Sequence, residues 1–147
     1  MLAEELCARF SLEPHPEGGA FRERHYPAPG EARPASGSIY YYVGAGQKTA
    51  FHRIDCDEYW VHVAGAPLTL WAVDPSGRVS RIPFGTGEGE EPMHFFPRGT
   101  VFACRNDGGE GTFLACITVP RFAPEGFELI SREEMERRFP ETRAFFA

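Results

Sequence analysis

The chain contains no apolar run long enough to cross a membrane, no cluster of basic residues, no closely spaced pair of cysteines and no internal repeat. Each absence removes a class of protein. A membrane-spanning helix takes about 20 consecutive apolar residues, and nothing here approaches that. The opening MLAEELCARFSLEP places Glu4, Glu5 and Arg9 where a secretory signal needs its apolar region, so a cytoplasmic location is expected. The 15 basic and 21 acidic residues give a net charge of -6, which argues against nucleic acid or an anionic membrane as partner. Cys7, Cys56, Cys104 and Cys116 lack CxxC spacing, so they read as reduced, mostly buried small hydrophobes rather than a disulfide framework or a zinc site. Without repeat or linker, residues 1–147 read as a single domain, a size that buries about 70% of its unfolded surface.

What is present is turn-rich and aromatic: 42% apolar residues, 14% aromatic, with 16 glycines and 13 prolines. Leu2, Leu6 and Phe10 fall at helical spacing before Pro14 and Pro16, which predicts a short amphipathic packing helix. From Gly18 onward the texture changes. Nine short runs rich in β-branched and aromatic residues follow: AFRERHY, SIYYYV, TAFHRI, EYWVHV, PLTLWAV, VSRIPF, MHFFP, TVFACR and TFLACITV. Asp74-Pro75-Ser76-Gly77 predicts a hairpin turn between two of them. Ser131 followed by Glu134 has the form of a capping box, so REEMERRF predicts a second short helix ending before Pro140. Many short strands in one domain imply an all-β, antiparallel sandwich or jelly-roll barrel with accessory helices at both ends, less than about a quarter helical.

The stretch FHRIDCDEYWVHVAG, residues 51 to 65, carries His52, Glu58 and His62 and reads like a metal site. It also carries a resemblance. His52, Glu58 and Gly65 keep the spacing of the first cupin motif, with Ile54 where a second histidine belongs. Pro97, Gly99 and Asn106 match the second cupin motif, with Phe102 at its histidine position. HPEGGAFRE, from His15 to Glu23, together with SIYYYV, FHRIDCDEYW, GAPLTL and FPRGTVFA, resembles a branch of small single-domain bacterial and fungal cupins that opens on HPEGG. The resemblance implies a cupin-type antiparallel jelly-roll barrel with short terminal helices, and usually a homodimer, but no settled activity.

Of the four cupin ligand positions only His52 and Glu58 offer lone pairs, and a catalytic metal usually takes three or more protein ligands. His62 does not replace a lost one, because Glu58 and His62 on one extended strand lie about 13 Å apart at roughly 3.3 Å per residue. No metal or other cofactor is therefore expected, with His15, His25 and His94 left as the histidines that could fold back as ligands. By period-two alternation His52, Ile54, Glu58, Trp60 and His62 share a face, while Arg53, Tyr59, Val61 and Val63 share the other. The resemblance turns the first set inward. A histidine and a glutamate converging in an aromatic cavity suit proton transfer, since burial and mutual charge move both pKa values toward neutrality. The bland alternative is a satisfied polar pair in a barrel that only binds. A pocket-lining His52 is expected to tolerate replacement by alanine at a cost of about 1 kcal/mol or less.

The candidate catalytic residues are thus His52 as base, Glu58 as its orienting or charge-stabilising partner, and Tyr40 (or Tyr42) as acid. Glu23, Tyr42, Trp60, His62 and Phe102 are the candidate substrate-binding residues. Packing is the alternative role for the tyrosines, and a surface ion pair the alternative for Glu23. Gly18-Gly19 reads as a turn rather than a phosphate loop, because no helix follows to receive an anion. Cys56, between Asp55 and Asp57, is not a nucleophile by this reading, since neighbouring carboxylates raise a thiol pKa. Arg98 either greets an anion at the barrel mouth or is a solvated turn residue. GGAFRE is similar to the N-terminal pattern of deoxysugar 3,5-epimerases. That resemblance implies a metal-independent epimerase or isomerase acting on a polar metabolite, a sugar or nucleotide sugar. The competing expectations are a binding or sensory cupin without turnover and a metal-dependent oxygenase.

Overall fold

The structure, a computed structural model, describes residues 1–25 and 33–147. Two expected features, Tyr26 at the end of the first run and the side chain of His25, lie outside the described residues. In chain order the elements are α1 (Leu2–Arg9), β1 (Glu13–Pro14), β2 (Ala20–His25), β3 (Gly37–Val43), β4 (His52–Ile54), β5 (Asp57–Gly65), β6 (Leu68–Val73), β7 (Val79–Phe84), β8 (Met93–Phe96), β9 (Val101–Arg105), β10 (Thr112–Val119), β11 (Phe127–Leu129), α2 (Arg132–Arg138) and α3 (Arg143–Phe146). Strand accounts for 43% and helix for 18%. All nine expected strands are present, joined by the two short ones β1 and β11. The strands pair antiparallel in two facing sheets, β1-β2-β3-β10-β5-β8 and β11-β4-β9-β6-β7. The jelly roll is thus a pair of sheets rather than one continuously hydrogen-bonded barrel.

Alternation decides what lies between the sheets. Along β5, Glu58, Trp60, His62 and Ala64 are buried, whereas Tyr59 and Val63 are exposed. The inner core stacks Trp60, Leu70, Phe84, Phe96, Phe102 and Leu114 from both sheets. A second apolar cluster covers the outer face of the smaller sheet, where Met135 of α2 and Phe145 of α3 pack on Phe51, Trp71 and Val101. Between β6 and β7 the Asp74 carboxylate accepts the N–H groups of Ser76 and Arg78, and Gly77 takes φ +91°, as the turn sequence requires.

Two local readings change. Ser131 Oγ accepts the Glu134 N–H at 3.1 Å, but the Glu134 carboxylate turns forward to Arg138 (2.9 Å), so only half of the capping box forms. In α1 the packing face is rotated by one residue. Ala3 is fully buried and Leu2 exposed, because Ala3 seats against Gly65, where a Cβ would come within 2.9 Å. Phe10 then lies on Tyr40, with ring centroids 4.9 Å apart.

Candidate active site

Inward-facing residues at one end of the sandwich enclose a cavity of about 340 Å³. β4 contributes His52 and Ile54, β5 contributes Glu58, β10 contributes Cys116 and Thr118, and the β1–β2 turn contributes His15 and Glu17. That turn is built for the purpose. Gly18 (φ +109°) and Gly19 (φ +74°) reverse the chain in a region L-residues avoid, and a Cβ on Gly19 would come within 2.5 Å of the Tyr42 carbonyl. The reversal is held by His15 N–H to the Gly19 carbonyl, by Ala50 N–H to the Glu17 carbonyl and by the Tyr41 hydroxyl to the Gly18 carbonyl. Glu17 is thereby fixed with its side chain in the cavity, 8% exposed.

Glu17 organises the two histidines differently. Its Oε2 lies 2.6 Å from His52 Nδ1, which also contacts the Ala50 carbonyl at 3.2 Å. Burial pulls the His52 pKa down, but the carboxylates of Glu17 and Glu58 outweigh it and the net shift is upward. The Glu17 N–H donates to His15 Nδ1 (3.1 Å), which makes that nitrogen an acceptor, and burial lowers the His15 pKa. The surroundings thus favour the protonated form more at His52 than at His15. Glu58 accepts a 2.7 Å bond from Trp60 Nε1. Burial, reinforced by the negative charge of Glu17, pushes its carboxyl up to about 7. Phe102 packs against the His52 ring at 4.3 Å, and Phe127 stacks on it at 5.5 Å.

Of the expected site residues, His52, Glu58 and Glu23 line the cavity. Trp60 and Phe102 stand behind them, as the donor to Glu58 and the packing surface for His52. His62 is buried elsewhere in the core, its Nε2 3.1 Å from the Ala66 carbonyl and its ring against Phe84. Tyr40 and Tyr42 do share a face, but it is the outer one. Tyr40 packs on Phe10 and Phe113 and the Tyr42 hydroxyl reaches Glu4, so neither meets a ligand in the cavity; α1 needs a sheet face to cover, and the pleat of β3 turns Tyr41 inward instead. Because His52 is 3% exposed against a buried carboxylate, its removal would strand Glu17, at a cost on the order of 3–5 kcal/mol rather than 1. The Cys56 thiol is pushed up to about 11, by burial first and Asp55 second, and Arg98 is a solvent-facing turn residue near Asp57. Glu17, Arg121 and Phe127 are cavity residues the linear reading did not select. For Glu17 the signal was the glycine pair beside it.

A family model described as cupin superfamily (DUF985) matches residues 4–130. The chain belongs to this cupin family. No curated protein matches it. A protein from Shewanella oneidensis has the same fold, with a TM-score of 0.88 and 29% identity over 97% of this chain and 92% of that one. A hypothetical protein from Leishmania major gives 0.85 and 26%, over 97% and 94%. An oxalate decarboxylase from Bacillus subtilis shares the fold at 16% identity and a TM-score of 0.65, over 89% of this cupin and 35% of that chain. The cupin fold commonly houses a metal, and the donor set here does not fit one. Ile54 and Phe102 present hydrocarbon at two ligand positions, Glu17 engages His52 Nδ1, and His94 lies half-buried on β8 against Phe96. Among the described residues no three His, Cys, Asp or Glu side chains are grouped to hold an ion.

Proposed function

We propose that this cupin transfers a proton on a small carbonyl compound held in the cavity, an isomerase-type reaction run by its own side chains. The observation that carries the reading is the buried 2.6 Å contact between Glu17 and His52 in a cavity shared with Glu58, whose carboxyl titrates near neutrality. With Nδ1 committed to Glu17 and the Ala50 carbonyl, proton exchange falls to Nε2. In its neutral form His52 takes the proton from the carbon beside the carbonyl, and protonated Glu58 delivers its own proton to the carbonyl oxygen, giving the enol; the reverse steps return both. An epimerase needs a second donor on the opposite ligand face. Tyr40 and Tyr42 do not supply it, so keto–enol isomerisation is favoured over sugar epimerisation. A volume of about 340 Å³ suits one small metabolite better than a nucleotide sugar.

The test is exchange of α-protons for deuterium, followed by proton NMR, across small ketones, ketoses and keto acids. Exchange is expected to be bell-shaped in pH and lost in both His52→Gln and Glu58→Gln. Exchange no faster than in buffer for every compound, or unaffected by either substitution, would refute the reading. Binding without turnover is the second reading, favoured by the partners already in place: Trp60 and Cys116 on Glu58, Glu17 and Ala50 on His52. It predicts ligand binding without exchange.

A further inference from the structure

The cavity mouth carries an ion pair that is more elaborately built than a surface pair requires. Arg121, in the segment between β10 and β11, donates from Nη2 to Glu23 Oε1 of β2, and both residues line the cavity. The two main-chain polar groups of Arg121 are held as well: its N–H donates to the Pro34 carbonyl (3.0 Å) and its carbonyl accepts from Arg33 Nε (2.9 Å). Its aliphatic stem crosses Gly37, where any Cβ would sit 2.9 Å from Arg121 Cγ. The route of the guanidinium therefore depends on a glycine. Yet the pair is partly open to water, Arg121 31% and Glu23 41% exposed, and exposed pairs add little to stability. Fold stability does not explain the construction. Among the described residues lining the cavity, Arg121 is also the sole Lys or Arg. The cavity is also lined by the apolar rings of Phe21, Phe122 and Phe127, and by the buried His52 and Glu58.

The geometry points to Arg121 as the specificity-determining residue for a ligand with an apolar body and a single carboxylate, which displaces Glu23 from the guanidinium while the body lies against Phe21, Phe122 and Phe127. This rests on the cavity being the ligand site, as proposed above. A planar guanidinium takes a carboxylate through two parallel N–H bonds, and Glu23 already engages it through Nη2 as an internal competitor. One arginine already shared with a glutamate does not hold a diphosphate. With the carboxylate at the mouth, the carbonyl that reacts lies further along the molecule, toward His52 and Glu58. The class is an oxo acid whose two polar groups are separated by an apolar spacer.

Calorimetry with levulinate and its longer-chain oxo-acid homologues tests this, each paired with the ketone in which a methyl group replaces the carboxylate. At the best length the acid is expected to bind roughly tenfold or more tighter than its ketone, the scale of a charge-assisted hydrogen bond. Arg121→Gln should erase that preference and leave the ketone affinity unchanged, Arg121→Lys should keep part of it, and Glu23→Gln should tighten the acid alone. Should Arg121→Gln fail to fold, Glu23→Gln, on an exposed side chain, carries the test. Equal affinity for acid and ketone at every length, no binding of either, or weaker acid binding in Glu23→Gln would overturn the assignment. Deuterium exchange separates the two proposals. An acid preference without exchange sinks only the proton transfer, and exchange of both compounds without preference sinks only the anchor.

Discussion

Replacing Glu58 with glutamine isolates the titration on which the proposed chemistry depends. Glutamine keeps the size and the acceptor that Trp60 Nε1 uses at 2.7 Å, and removes the ionisation. In the native chain burial, with Glu17 adding to it, raises this carboxyl from 4.5 to about 7. A folded-state pKa above the unfolded one means that the folded protein holds the proton more tightly. The group then contributes its full stabilisation below pH 4.5 and loses it as pH rises to about 7, a change of roughly 3 kcal/mol. The glutamine variant has no such loss. Relative to the parent it should gain only about 1 kcal/mol at pH 5 and roughly 3 kcal/mol at pH 8, a rise of the order of 5–10 °C in Tm at the higher pH. Urea unfolding of both proteins at the two pH values measures it, and the difference reports the ionisation of Glu58 together with its coupling to Glu17 and His52. A constant gap between the two proteins at pH 5 and 8 would mean that Glu58 titrates like an ordinary carboxylate, and its role as acid near neutrality would fall. A gain in stability accompanied by loss of proton exchange would be the signature of a group kept for function at the fold's expense.

The turn that delivers Glu17 should be equally exacting: Gly19→Ala is expected to cost about 2 kcal/mol or more in urea unfolding, through positive φ and the 2.5 Å approach to the Tyr42 carbonyl, and an unchanged midpoint would refute that account. A thiol-reactive dye at pH 7.5 should modify Cys7 ahead of the others, because Cys56, Cys104 and Cys116 are buried and burial raises all three thiols, Cys56 to about 11 and Cys104 to about 12; rapid labelling of two or more thiols in the folded protein would contradict it. The outer face carries the Tyr59–Phe95 ring pair at 4.8 Å, with Val63 and Met93 exposed beside it, and we propose it as the surface on which a second copy of the chain docks, in keeping with the dimers its family resemblance implies. Light scattering should report a dimer at micromolar concentration that Phe95→Glu dissociates, and a monomeric parent would refute the assignment.

Periodicity in the linear sequence was enough for much of this molecule. Strand alternation is a local property of the pleat, so the face shared by His52, Ile54, Glu58, Trp60 and His62 could be read directly, as could the Asp74–Gly77 turn and the nine principal strands, while the family resemblance turned that face inward. The motif spacing around His52, Glu58, Pro97, Gly99 and Asn106 named the family, because those residues sit at fixed distances along neighbouring strands. Alternation does not say which of two faces is inside. For β3 both faces are aromatic, and only the docking of α1 through Ala3 and Phe10 made Tyr40 and Tyr42 outer residues and Tyr41 an inner one. Contacts between segments remote in sequence are likewise invisible to any local pattern. Glu17 reaches His52 across 35 positions, and Arg121 reaches Glu23 across 98. Residue types alone proposed a histidine and a glutamate for proton transfer. Which carboxylate holds the histidine, which one carries a proton near neutrality, and which cation guards the mouth were decided by burial and proximity, and those exist only once the two sheets have closed on each other.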